Sequence, residues 1–262
     1  MIRQRLGKDL LFFDGGMGTL LQEKGLAPGE LPETWNLTHS EEIYKIHRQY
    51  IEAGSDIILT NTFGANALKF HDDSCSLEEI IKAAVSHVKK AEREALLQTG
   101  DERKIYTALD VGPTGKLLKP MGDLEFETAY EAFKEVVILG EQAGADLIHI
   151  ETMSDTYELK AAVLAAKENT SLPVFATVIF DERKKLLTGA DVSSVVALLE
   201  GLGVDALGIN CAMGPKEMLP VLEELIKYSS VPIIVKPNAG LPKQRDGKTY
   251  YDVTEDEFAA YM

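Results

Sequence analysis

The chain has 262 residues, 45% of them apolar and 26% charged, a composition that provides for a core and excludes a disordered polymer. Acidic residues outnumber basic ones 42 to 27, for a formal charge of −15, which argues against nucleic acid or any other polyanion as a partner. The length suits one large α/β domain over residues 1–262, no apolar run reaches a membrane span, and two distant cysteines, Cys75 and Cys211, point to the cytoplasm rather than to disulfides.

From the N-terminus, Met1 to Leu11 carries no secretory pattern. Short apolar runs then recur: Leu10 to Phe13, Asp56 to Thr60, Ile105 to Leu109, Leu147 to Ile150, Val174 to Ile179, Ala206 to Ile209 and Ile233 to Val235. Continuous apolar runs, rather than alternating ones, are what strands buried on both faces look like. The stretches between them have helical periodicity, as in Leu77 to Leu97, where Ile80, Ile81, Ala84, Val88, Ala91 and Ala95 share a face.

The turns into the strands repeat. Ala53-Gly54-Ser55-Asp56, Ala143-Gly144-Ala145-Asp146 and Leu202-Gly203-Val204-Asp205 each stop a helix at a glycine and place an aspartate before the strand. Pro173 and Pro232 mark two other strand starts. Thr254 followed by Glu257 reads as a capping box opening a last helix. Seven βα units predict a (β/α)8 TIM barrel with seven strands and its eighth βα unit missing. An open doubly wound sheet is the weaker alternative, because Asp14-Gly15-Gly16-Met17-Gly18 lacks the dinucleotide spacing.

In a barrel, the residues that end the strands share one mouth. Here they are Asp14 with Gly15 and Gly16, Thr60 with Asn61 and Thr62, Asp110, Glu151, Asn210 with Cys211, and Asn238. Taken singly, each is accounted for as a cap, a turn former or a small buried thiol. Glu151 is harder to dismiss, since a carboxylate closing an apolar strand is costly to bury without a cation. Together the set suits an amino-acid zwitterion. Its carboxylate would lie on the Gly15 and Gly16 amides at a helix start, its ammonium on Glu151 and Asp14, and its side chain toward Cys211.

Several stretches resemble the homocysteine-binding barrel of cobalamin-dependent methionine synthases. They are Asp14-Gly15-Gly16-Met17-Gly18-Thr19, Glu33-Thr34-Trp35-Asn36-Leu37, Thr60-Asn61-Thr62-Phe63-Gly64-Ala65-Asn66, Gly112-Pro113-Thr114-Gly115 and Pro237-Asn238-Ala239-Gly240. The resemblance implies a homocysteine S-methyltransferase with a zinc ion bound by three cysteine thiolates, of which Cys211 matches the first. It implies that the zinc-bound homocysteine thiolate takes the methyl group of methylcobalamin, carried on another module, to give methionine. Asn238 would fill the open zinc position when substrate is absent, and cobalamin-binding and folate-binding modules would be partners.

The other two cysteines of that pattern would lie beyond Met262, so the resemblance implies a barrel module truncated at its C-terminus and inactive alone. Two alternatives stay open: a stand-alone homocysteine methyltransferase using S-methylmethionine or betaine, and a homocysteine-binding fragment completed by another chain. Cys75, four residues after His71, is a further metal-ligand candidate, with a loop thiol beside a helix start as the plainer reading.

Overall fold

The computed structural model describes residues 2–70, 74–100, 102–241, 243–245, 248–251 and 253–262. Six parallel strands form one sheet in sequential order: β1 (Ile57–Leu59), β2 (Tyr106–Val111), β3 (Leu147–Met153), β4 (Val174–Val178), β5 (Ala206–Asn210) and β6 (Ile233–Lys236). Three short helices precede β1, namely α1 (Met17–Glu23), α2 (Trp35–Thr38) and α3 (Ser40–Ala53). Helices cross between the strands: α4 (Leu77–Thr99), α5 (Phe126–Ala143), α6 (Thr156–Asn169), α7 (Val192–Gly201) and α8 (Pro215–Tyr228). A two-stranded antiparallel hairpin, β7 (Lys243–Arg245) with β8 (Lys248–Tyr250), and a closing helix α9 (Glu255–Tyr261) follow β6. No helix among the described residues is long and apolar enough to cross a membrane.

The sheet curls into a half-barrel of six strands, which corrects the expected count of seven. Leu10 to Phe13 does not form a strand. It makes a single parallel bridge, Phe13 to Ile57, with Ile57 N–H donating to Phe12 O at 3.0 Å and Asp14 N–H to Ile57 O at 3.0 Å. The physical reason is one-sided support: Leu10 and Phe12 are exposed, and a strand with a ladder on one side and no packing on its outer face does not propagate. The two lateral margins of the half-barrel are therefore this segment and β6, whose residues other than Ile234 are only half-buried.

Alternation of side chains sorts each strand into an outer and an inner set. The outer set, including Leu109, Ile148, Ile150, Ala176, Leu207 and Ile209, packs under the helices in the largest core cluster. Ile57, Leu59, Tyr106, Ala108, Leu147, Phe175, Ala206 and Ile234 form a second cluster inside the curl, with Ile2 beside them. Further along the same inner rows, toward the strand ends, come Asp110, His149, Glu151, Asn210 and Lys236. The strands that are greasy at their starts thus end inside the curl in charge.

The glycine-to-aspartate turns do more than stop helices. Gly54 and Gly144 cap α3 and α5 in the left-handed conformation, at φ 112° and 94°. Each following aspartate then accepts a backbone N–H from the neighbouring chain segment: Asp56 from Phe12 at 3.0 Å, Asp146 from Thr107 at 2.9 Å and Asp205 from Val174 at 2.9 Å. The repeat is a set of rivets between successive βα units. The capping box of α9 forms as expected, with Thr254 accepting from Glu257 N–H.

Candidate functional site

Of the eleven residues expected at the mouth, Asp14, Gly15, Gly16, Thr60, Asn61, Asp110, Glu151, Cys211 and Asn238 line one cavity of about 990 Å³, whereas Thr62 and Asn210 stand behind its wall. It runs the length of the curl on its open side, from Leu6 and Pro232 near the strand starts to the polar ends.

Glu151 is placed by a bulge. The β3–β4 register shifts between Ile150 and Met153, and Thr152 takes φ 62°, a left-handed conformation that a β-branched residue adopts only under constraint. Cys211 and Ala212, just past β5, are also left-handed, at φ 55° and 61°. Asn210 holds the two strained places together. Its Oδ1 accepts Thr152 N–H at 3.0 Å, and its Nδ2 donates to Thr152 Oγ1 at 2.7 Å and to Cys211 Sγ at 3.3 Å. Cys211 N–H donates to Lys236 O at 3.0 Å, which ties the thiol loop to the end of β6. Strained backbone at the ends of β3 and β5, on either side of β4 and joined by one buried amide, marks this end of the sheet as the working one.

The cation that Glu151 requires is Lys236. Its Nζ donates to Glu151 Oε2 at 2.6 Å and lies 5.1 Å from the centre of the Phe13 ring. Burial works against the charge on Glu151, but Lys236 and His149 together outweigh it and hold the carboxyl below the usual carboxylate range. Burial likewise opposes the charge on Lys236, and Glu151 and Asp14 reverse it, so both partners are ionised. His149, fully buried, sits 3.3 Å from the same Oε2 without hydrogen-bond geometry, and burial lowers its pKa.

Asp14 and Asp110 meet a different environment. Asp14 Oδ2 accepts Leu59 N–H at 3.0 Å while Oδ1 is buried with no partner. Burial pushes this carboxyl up to about 7, against the pull of Lys236. Asp110 Oδ1 is also buried without a partner, and burial, then the charge of Glu151, drives its pKa well above the ordinary value. Three carboxyls thus surround one lysine. Burial, then Glu151, also raises the Cys211 thiol, so it is protonated at neutral pH.

Thr60 and Asn61 form wall rather than reach into the cavity. Thr60 Oγ1 accepts Asp110 N–H at 3.1 Å and shares a hydrogen with Thr62 Oγ1 at 2.6 Å; Asn61 Nδ2 donates to Pro32 O at 2.7 Å. Gly15 passes so close to Tyr50 that a Cβ there would sit 2.8 Å from its hydroxyl, which donates to Gly16 O at 3.1 Å. The helix after the glycines, α1, is only seven residues long, so its dipole adds little to an anion site. Asn238 is half-buried, its N–H bonded to Met213 O at 3.0 Å.

Cys75 does not line the cavity; it packs half-buried against the main core, and Ser76 caps α4 through Glu79 N–H. His71, its proposed companion, lies outside the described residues. Among the described residues no group of three or more His, Cys, Asp or Glu side chains is arranged to hold a metal ion. Sequence reasoning passed over Lys236, His149 and the clamp formed by Asn210. The signal for Lys236 was present: Ile233-Ile234-Val235-Lys236 ends an apolar strand in a cation, as Leu147 to Glu151 ends one in an anion.

The fold and the cavity define a barrel-type α/β protein with a thiol, an ion pair and two high-pKa carboxyls gathered at its strand ends. By sequence the chain belongs to the homocysteine S-methyltransferase family, which it matches over residues 11–262. It is 33% identical over 267 residues to the methionine synthase of Mycobacterium leprae (strain TN), covering 98% of this chain and 22% of that protein. It is 34% identical over 265 residues to the methionine synthase of Mycobacterium tuberculosis (strain ATCC 25618 / H37Rv), covering 97% and 22%. The chain therefore spans about a fifth of the length of these relatives. The fold is that of the homocysteine methyltransferase MmuM from Escherichia coli in its metallated form, at TM-score 0.80 and 24% identity over 89% of this chain and 85% of that one.

Proposed function

We propose that residues 1–262 form one homocysteine-binding domain that presents the substrate thiol for methylation to methionine, acting in the cytoplasm as one part of a methionine synthase. The observation that carries the reading is the convergence of Asp14, Glu151 and Cys211 on one cavity at the strand ends of a chain belonging to this family. In it, Glu151 and Asp14 receive the substrate ammonium, Gly15 and Gly16 flank the carboxylate, and the thiol points toward Cys211 and Asn238. Methylation replaces the S–H of the substrate with S–CH3, and Thr60, Asn61 and Phe63 form part of the cavity wall.

Methylcobalamin as the donor, with cobalamin-binding and folate-binding modules as partners, is supported by the likeness to the mycobacterial methionine synthases. Zinc is the metal the family resemblance implies. The cavity offers it one thiolate donor, Cys211; Glu151 is already committed to Lys236, burial pushes Asp14 up to about 7, and burial with the charge of Glu151 raises Asp110 well above the usual carboxylate range. These residues do not by themselves fit a three-thiolate zinc site.

Calorimetric titration tests the reading. Homocysteine is expected to bind with one site per chain and to be displaced by methionine. A folded chain that takes up neither thiol nor thioether amino acid contradicts it. Methionine formation from homocysteine with methylcobalamin, compared with S-methylmethionine and betaine, identifies the donor.

A further inference from the structure

Lys236 is the one basic side chain among the described residues that line the cavity, against Asp9, Asp14, Glu33, Asp110 and Glu151. It does not face solvent as a strand-end lysine ordinarily does. Its side chain is 17% exposed and that of Glu151 11%, at an Nζ to Oε2 distance of 2.6 Å. The pair occupies the place where the proposed function puts the substrate ammonium. Both contacts of the carboxylate fall on Oε2, so a ligand ammonium that takes this oxygen has to open the ion pair.

Opening a buried pair is costly when either charge is left alone, and inexpensive when each finds a new partner of the right sign. A simple amine would satisfy Glu151 and strand Lys236, and a simple acid would do the reverse. An α-amino acid carries both charges on neighbouring atoms. The alternative place for its carboxylate, the glycine turn before α1, offers amides at the start of a seven-residue helix and no charge.

We propose that Lys236 and Glu151 form a zwitterion-selective lock: homocysteine inserts into the pair, its ammonium replacing Lys236 on Glu151 and its carboxylate replacing Glu151 on Lys236. No net charge is buried by the exchange beyond that of a neutral zwitterion. Lys236 is a specificity-determining residue that touches the substrate carboxylate, and the Gly15 and Gly16 amides complete the carboxylate's hydrogen bonds. The inference rests on homocysteine being the ligand and adds the reason why ligands with a single charge are rejected.

Three thiols with the same carbon spacing test it by calorimetric titration of the full chain: homocysteine, 3-mercaptopropylamine, which lacks the carboxylate, and 4-mercaptobutyrate, which lacks the ammonium. The unmodified chain is expected to bind homocysteine at least about 30-fold more tightly than either analogue, the range of one charged hydrogen bond lost together with a stranded partner. In Lys236→Met the preference over the amine falls below about threefold, because Glu151 then stands open to any ammonium, while the preference over the acid remains. Glu151→Gln gives the mirror result, with the acid gaining. A merely structural role for the pair would weaken all three ligands alike. Should either single variant fail to fold, Glu151→Gln combined with Lys236→Met removes both charges, and homocysteine is then expected to lose its preference over both analogues. Binding of homocysteine by the unmodified chain with the roughly 30-fold preference over the amine intact in Lys236→Met, or in the double variant, overturns the lock and leaves the function standing. Absence of homocysteine binding by the unmodified chain overturns the function and the lock with it.

Discussion

Asp14 shows what the fold accepts at a single residue in order to have a cavity. One of its oxygens is bonded to Leu59 N–H and the other is buried with nothing to bond. Its pKa of about 7, raised by burial, gives a pH dependence of definite sign. The unfolded chain releases this proton near 3.8 and the folded chain keeps it to about 7, so the folded state binds more protons in that window and stability falls as pH rises through it. Asp14→Asn keeps an acceptor for Leu59 and carries no charge. It is expected to match the parent near pH 4 and to exceed it above pH 7 by up to about 4 kcal/mol, as urea unfolding at several pH values would show. Equal stabilities at high pH would mean that Asp14 is solvated.

The neighbouring Glu151 behaves oppositely, being ionised beside Lys236. Glu151→Gln keeps the shape, and homocysteine affinity is expected to fall by about 1.5 to 3 kcal/mol, the worth of a charged hydrogen bond; unchanged affinity would remove Glu151 from the binding assignment. Both carboxylates were legible in the sequence, because a charge that closes an apolar strand has to meet a cation or a ligand there. Lys236 carried the same kind of signal, an apolar strand ending in a charge, but not its partner: a lysine before Pro237 reads as a solvated strand end until the curl of the sheet brings β6 opposite β3. The clamp from Asn210 to Thr152 was hidden for the same reason: the partners are 58 positions apart and meet only through the register of β3, β4 and β5.

Among the elements, the strands β1 to β6 were readable from apolar runs bounded by Pro173, Pro232 and the glycine-to-aspartate turns, since these residues fix where a helix must end and a strand can begin. The segment Leu10 to Phe13 has the same composition and is no strand, because ladder formation depends on neighbours that composition does not record. The hairpin of β7 and β8 carried a signal that the reading of the apolar runs passed over, the pair Asp246-Gly247 between its two short strands, which are too polar to register as such runs. Close packing of β5 on β6 gives a sharp test at this level. A Cβ on Gly208 would lie 1.8 Å from Ile234 O, a backbone atom that cannot move without breaking the ladder. Gly208→Ala is expected to destabilise the chain by at least about 2 kcal/mol and to loosen the end of β6 that carries Lys236. A variant melting with the parent would show that β6 is free to shift away from β5, and would undercut its role in placing the lysine.

At the scale of the whole molecule, the charge of −15 is concentrated neither in a tail nor in a single run, and the interior repeats the excess in miniature, with several carboxyls around one lysine. The half-barrel separates its tasks along the strands: apolar inner rows at the starts hold the curl, and polar inner rows at the ends line the cavity where the proposed function places the ligand. The measurement that tests this most directly is the mapping of homocysteine-induced shifts on the backbone amide spectrum of the isotope-labelled chain. The largest changes are expected at Gly15, Gly16, Thr60, Glu151, Thr152, Cys211 and Lys236, with the strand starts at Leu147, Val174 and Ala206 unmoved. Shifts centred on the strand starts, or none at millimolar homocysteine with a well-dispersed spectrum, would contradict the account.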